Sequence, residues 1–211
     1  MAQTRRSFRP GKSRQSLFIL PRAFSLVLAG YFVLTSAYSF WLKRRPILDV
    51  MTLAGLYTVR VIAGAAAVAI APSFWLLAFS MFIFLSLALV KRYTELQGLL
   101  ERGELTATGR GWHVEDLPLV QSLGTAAGMA CVLVLALYID SEPAQRLYGS
   151  PEALWLVCPL LLYWISRLWF KTHRGAMHDD PVVFALRDRM SLVIGVCTVG
   201  ILLLAKIGVA Q

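Results

Sequence analysis

The amino-acid sequence predicts an all-α membrane protein, a helical bundle of about six transmembrane helices. Of its 211 residues, 57% are hydrophobic and only 16% are charged, and the mean hydropathy is +0.63, well above the level of a soluble domain. Apolar segments close to the roughly 20 residues that a bilayer core requires recur along the chain. Stretches of about ten alternating residues, which mark transmembrane strands, are not evident.

Six apolar segments account for the predicted spans, and they cover residues 23–42, 47–71, 73–90, 119–139, 153–170 and 182–205. A basic amino-terminal segment, 1–22, precedes the bundle of 23–211, in which no linker is long enough to separate two domains. The polar residues 91–117 are predicted to form a lid loop over a membrane-embedded site.

Small side chains recur at i, i+4 spacing in residues 63–67 and again in 124–128. Such spacing lets helices approach closely in lipid, because no large side chain separates the backbones. We therefore predict helix packing, and no chemistry, at both stretches.

Lysine and arginine residues are divided unevenly between the two sides of the predicted bundle. Twelve lie on the side of the loops that follow residues 42, 90 and 170, and two lie opposite when the amino-terminal segment is left out. The positive-inside rule then places those loops in the cytoplasm. An even number of spans conflicts with this, because it puts the six amino-terminal cations outside. Either the first apolar stretch does not cross fully, or the chain is the later part of a longer bundle.

The net charge of +9 is explained by this topology and by anionic lipid headgroups. Membrane lipid is therefore an expected partner, and nucleic acid is not. Cys131, Cys158 and Cys197 all fall inside predicted spans, so a disulfide framework or a zinc site has no support.

Candidate site residues concentrate around the junction of the first two spans. Tyr38 and Lys43 bring a hydroxyl and an ammonium group to the predicted cytoplasmic surface. Asp49 follows Pro46 in a first helical turn, so it is either a helix-start acid, which the helix dipole favours, or a pocket residue.

Arg60 lies inside an apolar stretch, where an unpaired charge costs at least ~2.5 kcal/mol and usually faces a partner or an aqueous cavity. It follows Asp49 by about three helical turns, so both lie on one helix face, roughly 16 Å apart. We predict that this face lines a polar pocket. A structural ion pair with an acid elsewhere is the alternative for Arg60.

A charged cluster, Lys91-Arg92-Tyr93-Thr94-Glu95, ends the third span abruptly. On a helix Lys91 and Glu95 are spaced i, i+4, so both point the same way and could grip one ligand, with Arg92 as a further cation. A snorkelling Lys91 with an intrahelical ion pair is the alternative.

Two adjacent carboxylates, Asp179 and Asp180, precede the last span. They could hold a divalent cation, which is magnesium if phosphate is the partner. They could equally cap the final helix, and we favour capping for Asp180 because it stands before Pro181. Asp188 lies one to two turns into the last predicted span, too deep for snorkelling to explain it fully.

The order of these motifs resembles the UbiA superfamily of intramembrane prenyltransferases. The resemblance rests on Tyr38 to Lys43, Asp49, Arg60, the small residues that follow, and the stretch Lys91-Arg92-Tyr93-Thr94-Glu95-Leu96. Within the superfamily the chain is most similar to the branch of decaprenyl-phosphate phosphoribosyltransferase, which residues 179–189 also resemble. That fold has nine spanning helices around a central cavity, and the six segments here are similar to the fourth to ninth.

The resemblance implies transfer of a prenyl or phosphoribosyl group between a polyprenyl phosphate or diphosphate and a diphosphate-bearing partner, such as phosphoribosyl diphosphate. It implies a site that faces the cytoplasm in a bacterial inner membrane, with Lys91, Glu95, Tyr38 and Lys43 at positions that match the branch. It also implies Mg²⁺. The first aspartate-rich motif, which grips that metal, has no counterpart in this chain.

The enzyme interpretation depends on one geometric expectation, a hollow shared by Lys43, Arg60 and Lys91. The alternative is a truncated, non-catalytic bundle that binds prenyl phosphate or assembles with further helices, as a homo-oligomer or with a partner chain. A small transporter is a weaker alternative, because paired half-helices broken at mid-membrane are not evident.

Overall fold

Membrane-length helices make up the protein. The computed structural model describes residues 22–106, 109–177 and 180–207, and residues 1–21 of the basic amino-terminal segment lie outside this part. The described residues form α1 Arg22–Phe40, α2 Pro46–Ala67, α3 Phe74–Glu101, α4 Leu117–Ile139, α5 Glu142–Leu147, α6 Val157–His173, α7 Pro181–Arg187 and α8 Arg189–Ile207. Short 3₁₀ helices occur at Leu42–Arg44, Val114–Asp116 and Pro151–Leu156.

Five helical segments are long and apolar enough to cross a membrane, namely Pro46–Ala67, Phe74–Glu101, Val114–Ile139, Pro151–His173 and Arg189–Ile207. A shorter apolar helix, Phe24–Phe40, precedes them. These helices confirm the predicted all-α membrane bundle, with five full-length helices and one shorter helix in the described residues.

The third span differs from its prediction because α3 does not end where its apolar residues end. The helix begins after Ser73, whose side chain accepts a hydrogen bond from the Leu76 N–H, and it continues to Glu101. Charged residues such as lysine, arginine and glutamate are good helix formers, so a fall in hydropathy does not stop a helix. Residues 91–101 of the predicted lid are therefore helical, and the loop begins after them.

The last predicted span is broken into two helices, α7 and α8. Asp188 stands between them in an extended conformation, with ψ of 122°. Its side chain accepts a hydrogen bond from the Ser191 N–H at 2.9 Å and so caps the start of α8. The break was not predicted, because apolar stretches continue on both sides of the charged residues Arg187, Asp188 and Arg189.

The centre of the bundle is a close approach of α3, α4 and α6. A Cβ atom on Gly124 would lie 2.1 Å from the ring of Trp169, so only glycine fits there. The Ser86 hydroxyl donates to the Gly124 carbonyl at 2.8 Å and accepts from the Trp169 indole at 3.1 Å. The predicted packing at 124–128 is thus confirmed. Gly64, in the first stretch of small residues, has nothing within 4 Å of an added Cβ, so no close helix approach occurs at this glycine, and packing at the rest of 63–67 stays a prediction.

Candidate functional site

Asp49 lies at the centre of a buried polar network. Its Oδ1 accepts hydrogen bonds from the Tyr38 hydroxyl at 2.8 Å and from Arg92 Nη2 at 3.1 Å. Its Oδ2 accepts from the Trp112 indole at 2.9 Å and lies 2.5 Å from Arg92 Nε, which lacks the angle of a hydrogen bond. These contacts use both oxygens, so Asp49 anchors Tyr38, Arg92 and Trp112 to one another.

The same network explains how a carboxylate and a guanidinium are held away from water. Asp49 is 0% exposed and Arg92 is 1% exposed. Taking two charges out of water is costly unless the pair is close and its remaining polar atoms are hydrogen-bonded. Asp49 reaches this position because it stands in the first turn of α2, where the helix faces both α1 and α3. Arg92, predicted as a ligand cation, is committed to Asp49 instead.

Glu95 continues this network towards the surface. Its Oε2 accepts from Nη1 of Arg92 and from Nη1 of Arg110. Glu95 and Arg110 are 35% and 32% exposed, so this outer pair is reachable whereas the inner pair is not. Burial lowers the pKa of Arg110, but the hydrogen bond and charge of Glu95 raise it by more, and the group stays positive.

A cavity of about 690 Å³ lies beside this outer pair, and we call it the basic cavity. Four cations and two carboxylates line it, which leaves two positive charges in excess. Its walls are formed by Lys43, Arg44, Thr94, Glu95, Gly98, Leu99, Arg102, Glu104, Gly109 and Arg110. Of the residues predicted to bind substrate, the structure places Lys43 and Glu95 in this wall.

Gly111 brings the two edges of the basic cavity together. A Cβ atom at this position would lie 2.6 Å from the Arg44 carbonyl oxygen, so a larger residue would push the loop away. The loop is further fixed by a bridge between Thr106 and His113 and by mutual capping of His113 and Asp116. The turn after α1 and the loop after α3 therefore face each other across the cavity.

Lys91 lies in a different environment from Glu95. Its Nζ is 2.9 Å from Asp180 Oδ2, beside a small cavity of about 30 Å³. Burial raises the pKa of Asp180, but hydrogen bonds from Lys91 and the Val182 N–H lower it by more, to below its usual range. The predicted grip of one ligand by Lys91 and Glu95 is wrong, because Lys91 lines this small cavity whereas Glu95 lines the basic cavity. The Val182 contact confirms that Asp180 caps a helix, but that helix is the short α7 and not the final helix α8.

Arg60 lies on the face of α2 that meets α1. Its Nη2 donates to the Tyr31 hydroxyl at 2.9 Å, and its guanidinium stacks over the Tyr57 ring at 4.7 Å. Asp49 contacts Tyr38 on the same helix α1, so the prediction that Asp49 and Arg60 share a helix face is confirmed. The side chain of Arg60 is exposed, and no carboxylate of the described residues forms an ion pair with it.

The predicted hollow shared by Lys43, Arg60 and Lys91 is therefore wrong. Lys43 lines the basic cavity, Lys91 pairs with Asp180, and Arg60 contacts two tyrosines. The physical reason is that Asp180 holds Lys91, whereas Arg60 lies several turns further along α2 from Pro46, beside Tyr31 and Tyr57. The enzyme interpretation depended on this hollow, so it loses that geometric support.

Asp188 joins α6 to the break between α7 and α8. Arg167 binds it with both nitrogens, at 2.6 and 2.9 Å, and Lys171 Nζ lies 3.3 Å away. Ser191 donates to it from its backbone N–H and from its hydroxyl, both at 2.9 Å. Arg167 above all holds the pKa of Asp188 far below its usual range. Because these partners occupy both oxygens, Asp188 serves as a joint between helices.

The carboxylates of the described residues do not form a metal site. Within 22–106, 109–177 and 180–207 there is no group of three or more His, Cys, Asp or Glu side chains that could hold a metal ion. Four inner carboxylates are each paired with a cation, namely Asp49, Glu95, Asp180 and Asp188. Asp179, the other weak candidate, lies outside the described residues. The described residues therefore do not fit the implied Mg²⁺ by themselves.

Four residues of the site were not predicted from the sequence. Arg44, Arg102 and Arg110 line the basic cavity, yet their charges had served only to orient the spans. Trp112 binds Asp49 from the loop after α3 and is 4% exposed. A tryptophan within a short polar loop was the available signal, since so large an apolar ring is seldom left in water.

No protein-family model matches the chain. The chain is 40% identical over 179 residues to the uncharacterized protein y4nM of Sinorhizobium fredii, which covers 84% of this chain and 34% of that protein. It is 34% identical over 180 residues to the nodulation protein NoeC of Azorhizobium caulinodans (84% and 57%). It is 27% identical over 179 residues to the decaprenyl-phosphate phosphoribosyltransferase of Mycolicibacterium smegmatis (83% and 56%). The chain thus spans from about a third to somewhat over half of the length of these relatives.

Proposed function

We propose, from the premise that this chain is a UbiA-like membrane protein related to the decaprenyl-phosphate phosphoribosyltransferases, that its basic cavity binds the phosphate of a polyprenyl phosphate. The cavity belongs, in this proposal, to a transferase that moves a prenyl or phosphoribosyl group between a polyprenyl phosphate and a diphosphate-bearing partner, such as phosphoribosyl diphosphate. The observation that carries the proposal is the meeting of four cations in one cavity at the polar end of α3.

The position of the cavity suits a ligand with a charged head and an apolar tail. α3 is free of charged residues from its start to Val90, and Glu95 in the cavity wall follows little more than one turn later. A phosphate in the cavity therefore lies near the level where the lipid-facing surface begins, and the polyprenyl tail extends into the bilayer. The positive-inside rule supports a cavity that faces the cytoplasm of a bacterial inner membrane.

The cations suit a phosphate group in particular. Arg44, Arg102 and Arg110 each present a planar fork of N–H donors, the geometry that matches two oxygens of a phosphate. In phosphoribosyl transfer an oxygen of the bound phosphate forms the new bond and diphosphate departs. The cations then stabilise negative charge in the transition state, and no step is assigned to Mg²⁺.

The test is binding of farnesyl phosphate, a short polyprenyl phosphate, to the purified chain in phosphatidylcholine nanodiscs. The variant Lys43→Gln/Arg44→Gln removes two positive charges from the basic cavity, and we expect at least tenfold weaker binding. The control Arg146→Gln removes a charge from an exposed pair with Glu142, on α5. It leaves the affinity unchanged. Equal affinity in the cavity variant and the control contradicts the proposal.

Transfer itself is measured as release of diphosphate from phosphoribosyl diphosphate, with farnesyl phosphate and magnesium chloride added to the same nanodiscs. Release that requires farnesyl phosphate supports the transferase. Farnesyl phosphate binding without release supports instead a bundle that binds prenyl phosphate without catalysis.

Assembly with a further membrane-spanning segment is a second candidate function, and Arg60 favours it. Arg60 lies about 21 Å along α2 from Pro46, at membrane depth, with an exposed guanidinium. Lipid tails accept no hydrogen bonds, and an arginine at that depth costs at least ~2.5 kcal/mol unless it finds polar partners. A helix that carries a carboxylate or amide, from a second copy or another chain, satisfies it by covering the face that carries Tyr31 and Tyr57.

The test of assembly compares Arg60→Leu with Arg60→Lys by native mass spectrometry in mild detergent. We expect Arg60→Leu to reduce the oligomeric fraction and Arg60→Lys to retain it. Farnesyl phosphate binding stays unchanged in both variants, since Arg60 is remote from the basic cavity. An oligomer distribution that is the same in wild type and Arg60→Leu excludes this role.

A further inference from the structure

The basic cavity faces a selection problem that follows from its place at the membrane surface. The phosphodiester headgroups of phospholipids carry one negative charge on phosphorus and are abundant there. A phosphate monoester, such as a polyprenyl phosphate, carries about −1.5 to −2 near pH 7. A cavity lined only by cations attracts both kinds of phosphate, and the abundant phosphodiester then fills it.

Glu95 changes this situation because it is an anion in the cavity wall. Its carboxylate accepts hydrogen bonds from Arg92 and from Arg110. Arg92 already has Asp49 as a counterion, so the charge that Glu95 neutralises towards the cavity is that of Arg110. In this structure, therefore, a carboxylate occupies the position next to Arg110 that a phosphate oxygen can take.

A ligand can replace a partner in one of the two ion pairs but not in the other, because their exposure to solvent differs. Asp49 and Arg92 are sealed from solvent, whereas Glu95 and Arg110 are each about one third exposed and line the cavity. A ligand that enters can reach Arg110 without disturbing the inner pair. When Arg110 turns to the ligand, Glu95 keeps Arg92 as a partner, so no charge is left alone.

We propose that Glu95 is the resident anion of the basic cavity: it holds Arg110 until a phosphate monoester or a diphosphate displaces it, and so keeps singly charged phospholipid headgroups out. This inference rests on the proposed function and assigns a selectivity role within the same site. The displacement cost is the same for every anion. A ligand with more than one negative charge gains more binding free energy from Lys43, Arg44 and Arg102. Only such a ligand recovers the displacement cost at the ligand concentrations available.

The experiment compares wild type, Glu95→Gln and the control Glu142→Gln in nanodiscs of phosphatidylcholine and of phosphatidylglycerol, with farnesyl phosphate as the probe. Glutamine keeps the size of the glutamate and removes its charge. In phosphatidylcholine we expect Glu95→Gln to bind farnesyl phosphate about tenfold more tightly, the effect of one negative charge removed within a few ångströms of the phosphate. Glu142 lies outside the cavity, in an exposed pair with Arg146 on α5, so Glu142→Gln changes the affinity less than threefold.

Phosphatidylglycerol, an anionic phosphodiester, supplies the competitor. In wild type it weakens farnesyl phosphate binding only as far as the surface charge of the bilayer requires, and Glu142→Gln shows the same factor. In Glu95→Gln the headgroup enters the cavity, so the tenfold gain is reduced or lost in phosphatidylglycerol. Thermal unfolding of the variant confirms that the fold is kept.

The outcomes distinguish a failure of the inference about Glu95 from a failure of the proposed function. If wild type and Glu95→Gln both fail to bind farnesyl phosphate in phosphatidylcholine, the proposed function is wrong and the inference is wrong with it. If wild type binds and Glu95→Gln binds equally or more weakly, the function stands and Glu95 is not a resident anion. A gain in Glu95→Gln that persists unchanged in phosphatidylglycerol overturns the exclusion of phospholipid headgroups.

Discussion

The replacement Asp49→Asn removes one negative charge from the most deeply buried ion pair of the protein's described part. Asparagine keeps the shape of aspartate, so no cavity forms. Arg92, which is 1% exposed, then keeps Glu95 as its carboxylate partner and faces a neutral amide where Asp49 stood. The amide offers one acceptor oxygen to the donors of Tyr38 and Trp112, which each bind a different oxygen of Asp49.

The expected cost follows from these contacts. Removal of one partner of a buried pair typically costs about 3–5 kcal/mol, and the remaining contact with Glu95 places this case near the lower value. For a chain of this size about 3 kcal/mol lowers the midpoint of thermal unfolding by roughly 6–12 °C. The assay is unfolding of the purified protein in detergent, followed by circular dichroism.

A matched variant at an exposed ion pair shows whether burial causes the lower unfolding midpoint of Asp49→Asn. Glu142→Gln breaks an i, i+4 pair with Arg146 in which both side chains are exposed, and such pairs contribute about 0.3–0.5 kcal/mol. Its midpoint shifts by roughly 2 °C or less. The reasoning is refuted if Asp49→Asn and Glu142→Gln unfold at the same temperature. The double variant Asp49→Leu/Arg92→Met removes both charges of the pair and is expected to recover much of the loss.

Three further predictions concern packing, acid and the α7 segment. Gly124→Leu lowers the unfolding midpoint by several degrees, because the new side chain meets the Trp169 ring. Gly195→Leu is the control, because an added Cβ on this α8 residue has open space around it, and the midpoint changes little. The pKa of Asp188 in the folded protein lies below the unfolded value of about 3.8, so its contribution is complete above that pH and is lost as the pH falls through the folded pKa. The difference in unfolding midpoint between wild type and Asp188→Asn is therefore constant from about pH 7 to 5 and shrinks below about pH 4. Lys91→Gln removes the ion pair at the start of α7, and hydrogen exchange measured by mass spectrometry becomes faster in 181–187 but not in α8.

The spans could be predicted from the sequence because a bilayer imposes a strong condition on composition. A helix that crosses it needs a long apolar segment, and α2 to α4 show such segments plainly. The break at Asp188 could not be predicted in the same way, because hydropathy measures composition and not the course of the backbone. The depth of Asp188 within an apolar stretch was nevertheless a sign that something other than a simple span was present.

The site was harder to predict because local sequence spacing does not determine which residue a charged side chain pairs with. The i, i+4 relation of Lys91 and Glu95 fixes where their Cβ atoms lie. The long side chains then turn to Asp180 and to Arg110, which come from distant parts of the chain. Arg110 in turn depends on the course of a loop that sequence patterns do not determine.

The burial of Trp112 has a consequence for the fluorescence of the protein. Its indole is buried and donates to Asp49, so its fluorescence depends on whether the loop that carries it stays against α2. The emission of one tryptophan among six is isolated by subtracting the spectrum of a Trp112→Phe variant. A shift of that difference spectrum to longer wavelength signals that water has reached the indole. The protein thus contains its own spectroscopic marker for the edge of the cavity, one that can be read in real time without an added dye.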